Sequence, residues 1–196
     1  NFLFAWNSMS QYKWDGDVLL GGELYKASQL PWFYIPYWFS ATTPVFTLIL
    51  GFLGIVVVVI SIIKTKLSIL FINSEYRMVI IALGTFVLPI IAVIALHSCL
   101  YDAWRQVFFI YPSFIILAIF FLEKSSVFLN KKIIYGTSFI LIAFIAIKTY
   151  RIFPLSNVYF NSLVAREDNC IRKSYELDYW GLSYKKCLEY ILQNDP

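Results

Sequence analysis

Long apolar segments occupy most of the chain between residues 44 and 150 and predict membrane-spanning helices. They cover about residues 44–63, 78–96, 104–122 and 132–150. The first two are close to the roughly 20 residues that a helix needs to cross a hydrocarbon core of about 30 Å. The last two have shorter apolar runs and must extend into their flanks, where long polar side chains can reach the interface. The pattern predicts about four transmembrane helices.

The segment before the first apolar run, residues 1–42, is rich in aromatic residues and in turn formers such as Gly21 and Gly22. It contains no apolar run long enough to cross a bilayer. Its last part carries four large rings, Trp32, Tyr34, Tyr37 and Trp38. Such rings are typical of membrane anchors at headgroup level, and they can also shape a groove for a lipid or a sugar. We therefore predict an interfacial or extracytoplasmic segment.

The end of the chain, residues 151–196, has a mixed and polar sequence. Apolar residues recur there at helical spacing after Ser183, which can act as an N-cap, and they predict a short amphipathic helix. They are Tyr184, Leu188, Ile191 and Leu192. Because fewer than 50 residues rarely form a stable core, we expect this tail to pack on the rest of the protein. The predicted fold is an all-α integral membrane protein with parts 1–42, 43–150 and 151–196.

Composition agrees with a membrane protein. Of the 196 residues, 60% are hydrophobic, 19% aromatic and only 14% charged, whereas soluble domains average about 45–50% apolar and 25% charged residues. The net charge of +4 is scattered along loops, which gives no indication of a nucleic-acid partner. The chain begins at Asn1 and not at an initiator Met, and the pattern of a charged n-region, an apolar h-region and a cleavage site does not follow. We expect it to be the C-terminal part of a longer protein, with the N-terminal part as its partner.

The basic residues predict an orientation. Lys64, Lys66 and Arg77 flank the first connection between spans, and Lys124, Lys131 and Lys132 flank the third. The connection at residues 97–105 contains only one basic residue besides its histidine. Since basic connections stay in the cytoplasm, residues 1–42, 97–105 and the tail are expected on the extracytoplasmic side.

The polar connection at residues 97–105 is the clearest candidate for a functional site. It contains His97, the chain's only histidine, together with Asp102 and Arg105. At a membrane boundary such side chains are costly unless they are paired, solvated or used. A purely structural interpretation also exists, in which His97 is an interfacial residue, Asp102 a helix N-cap and Arg105 a snorkelling anchor.

The cysteines and the residue types that bind metals give few indications of function. Cys99, Cys170 and Cys187 fall on the predicted extracytoplasmic side, where an oxidising compartment could join Cys170 to Cys187. One histidine and no paired cysteine motif do not give the spacing of a common metal site. We assign neither a metal nor a cofactor.

Three stretches share their order and spacing with a known family. They are residues 30–36 (LPWFYIP) running into 42–44 (TTP), residues 97–105 (HSCLYDAWR) running into 109–112 (FIYP), and residues 158–161 (VYFN) with 176–184 (ELDYWGLSY). Together they resemble the C-terminal half of bacterial membrane glycosyltransferases of the GT-C superfamily. The relatives meant are those of family 39, the protein O-mannosyltransferases and aminoarabinose transferases.

The resemblance implies inverting transfer of a sugar from a polyprenyl-phosphate carrier to an extracytoplasmic acceptor, which could be a protein, a lipid or a glycan. It also implies a bacterial inner membrane. In that family the catalytic acidic residue lies in the first extracytoplasmic loop of the full-length protein. Asp15 and Asp17 lie in a later segment and do not match it. We therefore assign no catalytic residue in this chain and expect it to be inactive alone.

Specific residues then receive expected roles. His97 and Arg105 would hold the donor phosphate, because both donate hydrogen bonds and can carry positive charge. Tyr101, Asp102 and Trp104 would support and orient them. The residues at a possible acceptor entrance are Glu176, Asp178 and Trp180, although a Trp-Gly turn is also an ordinary docking device. The alternative function is a non-enzymatic membrane scaffold or a transporter subunit.

Overall fold

The structure is a computed structural model that describes residues 1, 3–5, 14–65, 73–165, 168–178 and 180–194, without the side chains of residues 168–170. Its elements follow one another in the order β1 (Asp17–Leu20), β2 (Glu23–Lys26), α1 (Tyr34–Thr42), α2 (Val45–Thr65), α3 (Ser74–Ala95), a 3₁₀ helix (Arg105–Ile110), α4 (Tyr111–Ser125), α5 (Lys131–Ile152), a 3₁₀ turn (Ser156–Val158), α6 (Asp168–Ser174) and α7 (Tyr184–Asn194).

The four predicted spans are confirmed as helices that are long and apolar enough to cross a membrane. They are α2, α3, the 3₁₀ helix continued by α4 (Arg105–Ser125), and α5. The last two extend into their polar flanks as expected and reach 21 and 22 residues. Pro112 stands in the first turn of α4, where its missing N–H costs nothing. The sequence Thr42-Thr43-Pro44 predicts Thr43 as the N-cap of the first span. This prediction is wrong, since the Thr43 hydroxyl has no hydrogen-bond partner among the described residues.

Helices α2 and α4 make the closest contact in the bundle. A Cβ atom at Gly51 would overlap the ring of Phe114, and one at Gly54 would overlap the backbone carbonyl of Leu117. Small residues at such positions let two membrane helices approach closely. Helix α3 also packs on α4, and Lys124 joins the two through an ion pair of 2.9 Å with Glu75.

Helix α5 stands apart from the other spans. Only 6% of its most apolar window is buried, and Ile134 is its one buried residue among those described. Its exposed side chains are mostly apolar, as expected of a helix that faces lipid.

A small β-hairpin corrects the expectation of an all-α fold. Strands β1 and β2 pair antiparallel, with Val18 opposite Tyr25 and Leu20 opposite Glu23. The turn between them is Gly21-Gly22, and both glycines have positive φ (63° and 93°), as a two-residue hairpin turn requires. Val18 and Leu20 point into the core and are almost completely buried.

Helix α1 lies in the core, which corrects the expectation of an aromatic anchor at headgroup level. Tyr34 and Trp38 are buried, whereas Trp32 is exposed as an anchor would be. Phe39 also belongs to this helix and meets the ring of Phe114 edge to face, with 4.9 Å between ring centroids. Helix α1 therefore connects the hairpin to the membrane helices.

The tail packs on α1 and on the hairpin, as its small size led us to expect. Tyr175 forms an isolated β-bridge with Leu20, and its ring stacks on Tyr37 with centroids 5.3 Å apart. Asn161 is buried and donates through Nδ2 to the carbonyl oxygens of Ser40 (2.5 Å) and Thr43 (2.7 Å). These carbonyls lie at the end of α1, where a helix leaves acceptors without internal partners.

Helix α7 is confirmed as the short amphipathic helix of the tail. Its apolar side chains remain exposed in the described part of the chain. Docking of the tail therefore depends on residues that precede this helix, such as Asn161 and Tyr175.

Candidate functional site

Arg105 is a charged side chain that three neighbouring residues hold in place, at the end of the bundle where α2 begins and α5 ends. Its Nη2 lies 2.7 Å from Oδ2 of Asp102, and both side chains are about one-quarter exposed. Its guanidinium carbon lies 4.9 Å from the ring centroid of Tyr101 and 5.1 Å from that of Trp180. One carboxylate and two rings therefore fix the guanidinium. Tyr101 and Asp102 lie where supporting residues were expected.

The chain reaches this arrangement through a left-handed turn, and not through a regular helix start. Asp102 and Ala103 have φ values of 54° and 64°, a region that most residues avoid and aspartate tolerates. The following 3₁₀ helix begins only at Arg105, and Trp104 precedes it without a side-chain cap. Asp102 is thus neither an N-cap nor part of a first helical turn, and it orients Arg105 directly.

Trp104 stabilises this left-handed turn through a hydrogen bond to α1. It is buried, and its indole Nε1 donates to the hydroxyl of Thr42 at 2.8 Å. The same hydroxyl donates to the carbonyl oxygen of Trp38 at 2.8 Å. Trp104 therefore attaches the turn to the last residues of α1, and its role in supporting a phosphate site stays a prediction.

Arg105 faces a cavity of about 480 Å³. The cavity lies between the beginning of α2 at Pro44, the 3₁₀ helix and the end of α5 at Thr149. Its apolar wall includes Trp38, Trp104, Phe108, Tyr111 and Ile145. Its polar wall includes Arg105, Asn157 and Glu176, and Trp180 stands beside them. A mostly apolar cavity of this size with a few polar groups is typical of a small-molecule site.

Glu176 brings a carboxyl group from the tail to this cavity. Its Oε1 accepts a hydrogen bond of 3.2 Å from the backbone N–H of Leu19, whereas its buried Oε2 has no hydrogen-bond partner among the described residues. Burial raises the pKa of this carboxyl, and the negative charge of Asp102 raises it further, while the Leu19 N–H opposes the shift. A hydrogen-bond donor at Oε2 would offset the cost of this burial.

The three tail residues that the sequence grouped together have different environments. Trp180 and Glu176 line the cavity. Asp178 accepts hydrogen bonds from the backbone N–H groups of Leu182 (3.0 Å) and Ser183 (2.6 Å), and the hydrogen bonds to Ser183 lower the pKa of its carboxyl. It holds the turn before α7, which is the structural role weighed for this segment.

His97 does not share the cavity of Arg105. It has a positive φ of 47° just after α3, and it lines a separate small cavity of about 80 Å³ beside Trp32 and Ser98. The structure therefore does not bring the two expected phosphate ligands to one wall.

Among the other residues that line this cavity, Trp38 and Asn157 were not assigned to a site from the sequence. Trp38 counted only as one ring of an aromatic cluster, although a groove for a lipid or a sugar was considered for that cluster, and Trp38 lines this cavity. Asn157 gave no signal, because it lies in a short 3₁₀ turn after α5.

Cysteines and acidic residues do not form a metal site in the described part of the chain, where no group of three or more His, Cys, Asp and Glu side chains is close enough to hold an ion. Cys99 and Cys187 carry free thiols. The side chain of Cys170, the suggested partner of Cys187, lies outside the described residues.

Comparison of the chain with family models, curated proteins and solved structures found no match.

Proposed function

We propose that this chain is part of a membrane glycosyltransferase, and that its cavity binds the phosphate of a polyprenyl-phosphate sugar through Arg105. The observation that supports this most is the position of Arg105. Its guanidinium is oriented by Asp102 and flanked by two rings, and it faces a mostly apolar cavity at the end of the spans. The resemblance of three stretches to GT-C enzymes supplies the reaction.

The chemistry of the cavity suits the head of such a lipid. A guanidinium has five N–H donors in a planar fork, so an arginine that one carboxylate orients can also bind phosphate. Exclusion of water by the apolar wall strengthens this attraction. The cavity volume of about 480 Å³ can take a phosphate, a sugar and the first isoprene unit, while the rest of the chain would lie in the membrane.

In a transfer reaction the phosphate is the leaving group and gains negative charge as the bond to the sugar breaks. A fixed guanidinium at that oxygen stabilises the transition state more than the ground state. His97 lies on the other cavity and has no part in this proposal. The acid or base that activates the acceptor is expected in the part of the protein that precedes this chain.

Replacing Arg105 tests the phosphate site. We expect Arg105→Ala to weaken binding of undecaprenyl phosphate to the protein in nanodiscs by about 10- to 100-fold, the loss typical of a charge-assisted hydrogen bond. Arg105→Lys should fall between wild type and alanine, because it keeps the charge and loses the fork. Binding is measured by native mass spectrometry or by displacement of a fluorescent lipid.

Arg151 offers the matched control, since it is an exposed arginine at the end of α5 and does not line the cavity. Arg151→Ala should bind the lipid as wild type does. Unchanged binding in Arg105→Ala, or an equal loss in Arg151→Ala, would refute the phosphate site. Membranes that contain the complete gene product test the reaction itself: Arg105→Ala should lower transfer of a radiolabelled sugar from polyprenyl phosphate at a normal protein level.

The proposal also requires the cavity to open on the extracytoplasmic side. In spheroplasts, a membrane-impermeant maleimide should then label Cys187, which is exposed, in a variant whose other cysteines are serine. In a cysteine-free background, Val127→Cys should react only after lysis, because Val127 is 78% exposed on the connection after α4, at the opposite end of the spans. The reverse labelling pattern would invert the orientation.

A further inference from the structure

We infer that Glu176 and Trp180 bind the sugar of the donor lipid, next to the phosphate at Arg105, and do not form a separate entrance for the acceptor. This inference rests on the proposed function, because it needs the phosphate at Arg105. It assigns the polar wall of the cavity to a sugar that presents a hydroxyl or amino group.

The first reason is proximity. Trp180 lies over the guanidinium of Arg105, with 5.1 Å from the guanidinium carbon to the ring centroid. Asp102 contacts Arg105 at 2.7 Å and is close enough to Glu176 to raise the pKa of its carboxyl. In a polyprenyl-phosphate sugar one oxygen atom separates the phosphorus from the sugar ring. A sugar whose phosphate binds Arg105 must therefore lie beside these residues.

The second reason is the hydrogen bonding of Glu176. Its Oε1 is held by the backbone N–H of Leu19 at 3.2 Å, which fixes the side chain against β1. Its Oε2 is buried without a hydrogen-bond partner among the described residues. Leaving such an atom unpaired is costly, and a ligand that donates a hydrogen bond to it removes that cost.

The charges around Glu176 define the kind of donor. Among the described residues its titratable neighbours are Asp102 and Tyr34. Burial raises the pKa of the Glu176 carboxyl and the charge of Asp102 raises it further; burial also raises the pKa of the Tyr34 phenol, and the charge of Glu176 adds to that shift. A ligand that brought a second anion to this carboxyl would be repelled. A neutral hydroxyl or a protonated amine is compatible, and both are common on sugars. The indole of Trp180 is 61% exposed and offers an apolar surface for the C–H groups of the ring.

Comparing two lipids separates this inference from the phosphate site. The probes are undecaprenyl phosphate and the same lipid carrying mannose, glucose or aminoarabinose, each bound to the protein in nanodiscs. Wild type should bind at least one glycosylated lipid more tightly than the bare lipid. Glu176→Gln should weaken binding of that lipid by about tenfold and change binding of the bare lipid by less than twofold. Glutamine keeps an oxygen for the Leu19 N–H and replaces the unpaired acceptor with a donor.

Arg105→Ala should weaken binding of both lipids, so the two variants report on different groups of one ligand. Glu189→Gln is the matched control, since Glu189 is exposed on α7 and is not part of the cavity. The sugar subsite is refuted if Glu176→Gln weakens binding of both lipids equally, or weakens binding of neither. It is also refuted if wild type binds none of the glycosylated lipids more tightly than the bare lipid. If Arg105→Ala leaves binding of both lipids unchanged while Glu176→Gln remains selective, the phosphate proposal fails and with it the placement of the sugar beside Arg105, and only the contact between Glu176 and the sugar is retained.

Discussion

Replacing Gly54 with valine is expected to separate α2 from α4 and to destabilise the whole bundle. A Cβ atom at this position would overlap the backbone carbonyl and carbonyl carbon of Leu117. Backbone atoms cannot rotate away as a side chain can, so one of the two helices has to move. Overpacking of a tight core costs about 1–3 kcal/mol, and we expect the upper end of that range or more.

Gly136 on α5 provides the matched control, because no atom lies within 4 Å of the position that its Cβ would take. Thermal unfolding of the purified protein in detergent should show a large loss of stability for Gly54→Val and almost none for Gly136→Val. Gly51→Val should be less severe, since the overlapping atoms there belong to the side-chain ring of Phe114. Equal stability of Gly54→Val and wild type would show that α2 and α4 do not approach as closely as described.

The membrane spans were predictable because hydropathy and length are properties of one continuous segment. The contact between α2 and α4 was not predictable from the sequence. The close approach at Gly51 and Gly54 depends on which helix packs on them, and only the structure identifies that helix as α4. Small residues in an apolar helix indicate a close approach to some neighbour, but they do not identify that neighbour. Helix pairing therefore had to come from the structure.

The hairpin had a readable signal. Two short segments, Asp17–Leu20 and Glu23–Lys26, flank a Gly-Gly pair, which is a recognised hairpin pattern. The sequence marked the glycines only as turn formers, because each strand has just four residues. The sequence does not show which distant residue stabilises so small a sheet. In the structure it is Tyr175 of the tail, which pairs with Leu20.

The candidate site was predictable where its residues are neighbours in sequence. Asp102 was expected to orient Arg105 from three positions before it, and the ion pair is confirmed, although a left-handed turn and not a helix brings the two together. His97 is also a neighbour in sequence, yet the turn after α3 sends it to a different cavity. Trp180 reaches Arg105, and Glu176 reaches the same cavity, only because the tail folds back onto α1 and β1.

That return of the tail depends on Asn161, and Asn161→Asp is expected to release it. The side chain is 1% exposed. Its amide donates to the carbonyl oxygens of Ser40 and Thr43, while its Oδ1 accepts from the backbone N–H of Leu163 at 3.0 Å. A carboxylate would keep the acceptor and place a negative oxygen against two carbonyls. The lost hydrogen bonds and the buried charge together cost about 4 kcal/mol.

Hydrogen exchange at the docking site measures this cost. The amide of Gly21, which donates to the carbonyl oxygen of Ser174 at 2.8 Å, should lose more than a hundredfold of its protection in Asn161→Asp, the change that about 4 kcal/mol predicts if opening is local. Amides in the middle of α2 should keep theirs. Asn194→Asp is the matched control, because within the described part of the chain Asn194 donates to the exposed carbonyl of Tyr190 in its own helix.

Acidification distinguishes charge repulsion from the mere loss of two hydrogen bonds. The docked tail disfavours the charged form of the introduced carboxyl, so its pKa is higher in the docked state than in the released state, and docking is strengthened as the pH falls toward and below the docked-state value. A protonated carboxyl can also donate one hydrogen bond to a carbonyl. The protection of the Gly21 amide against hydrogen exchange should therefore recover in part at low pH in Asn161→Asp, whereas it should not recover in Asn161→Ala. If the two variants respond alike at every pH, the introduced charge is not buried against these carbonyls, and the end of α1 does not hold the tail that carries Glu176 and Trp180.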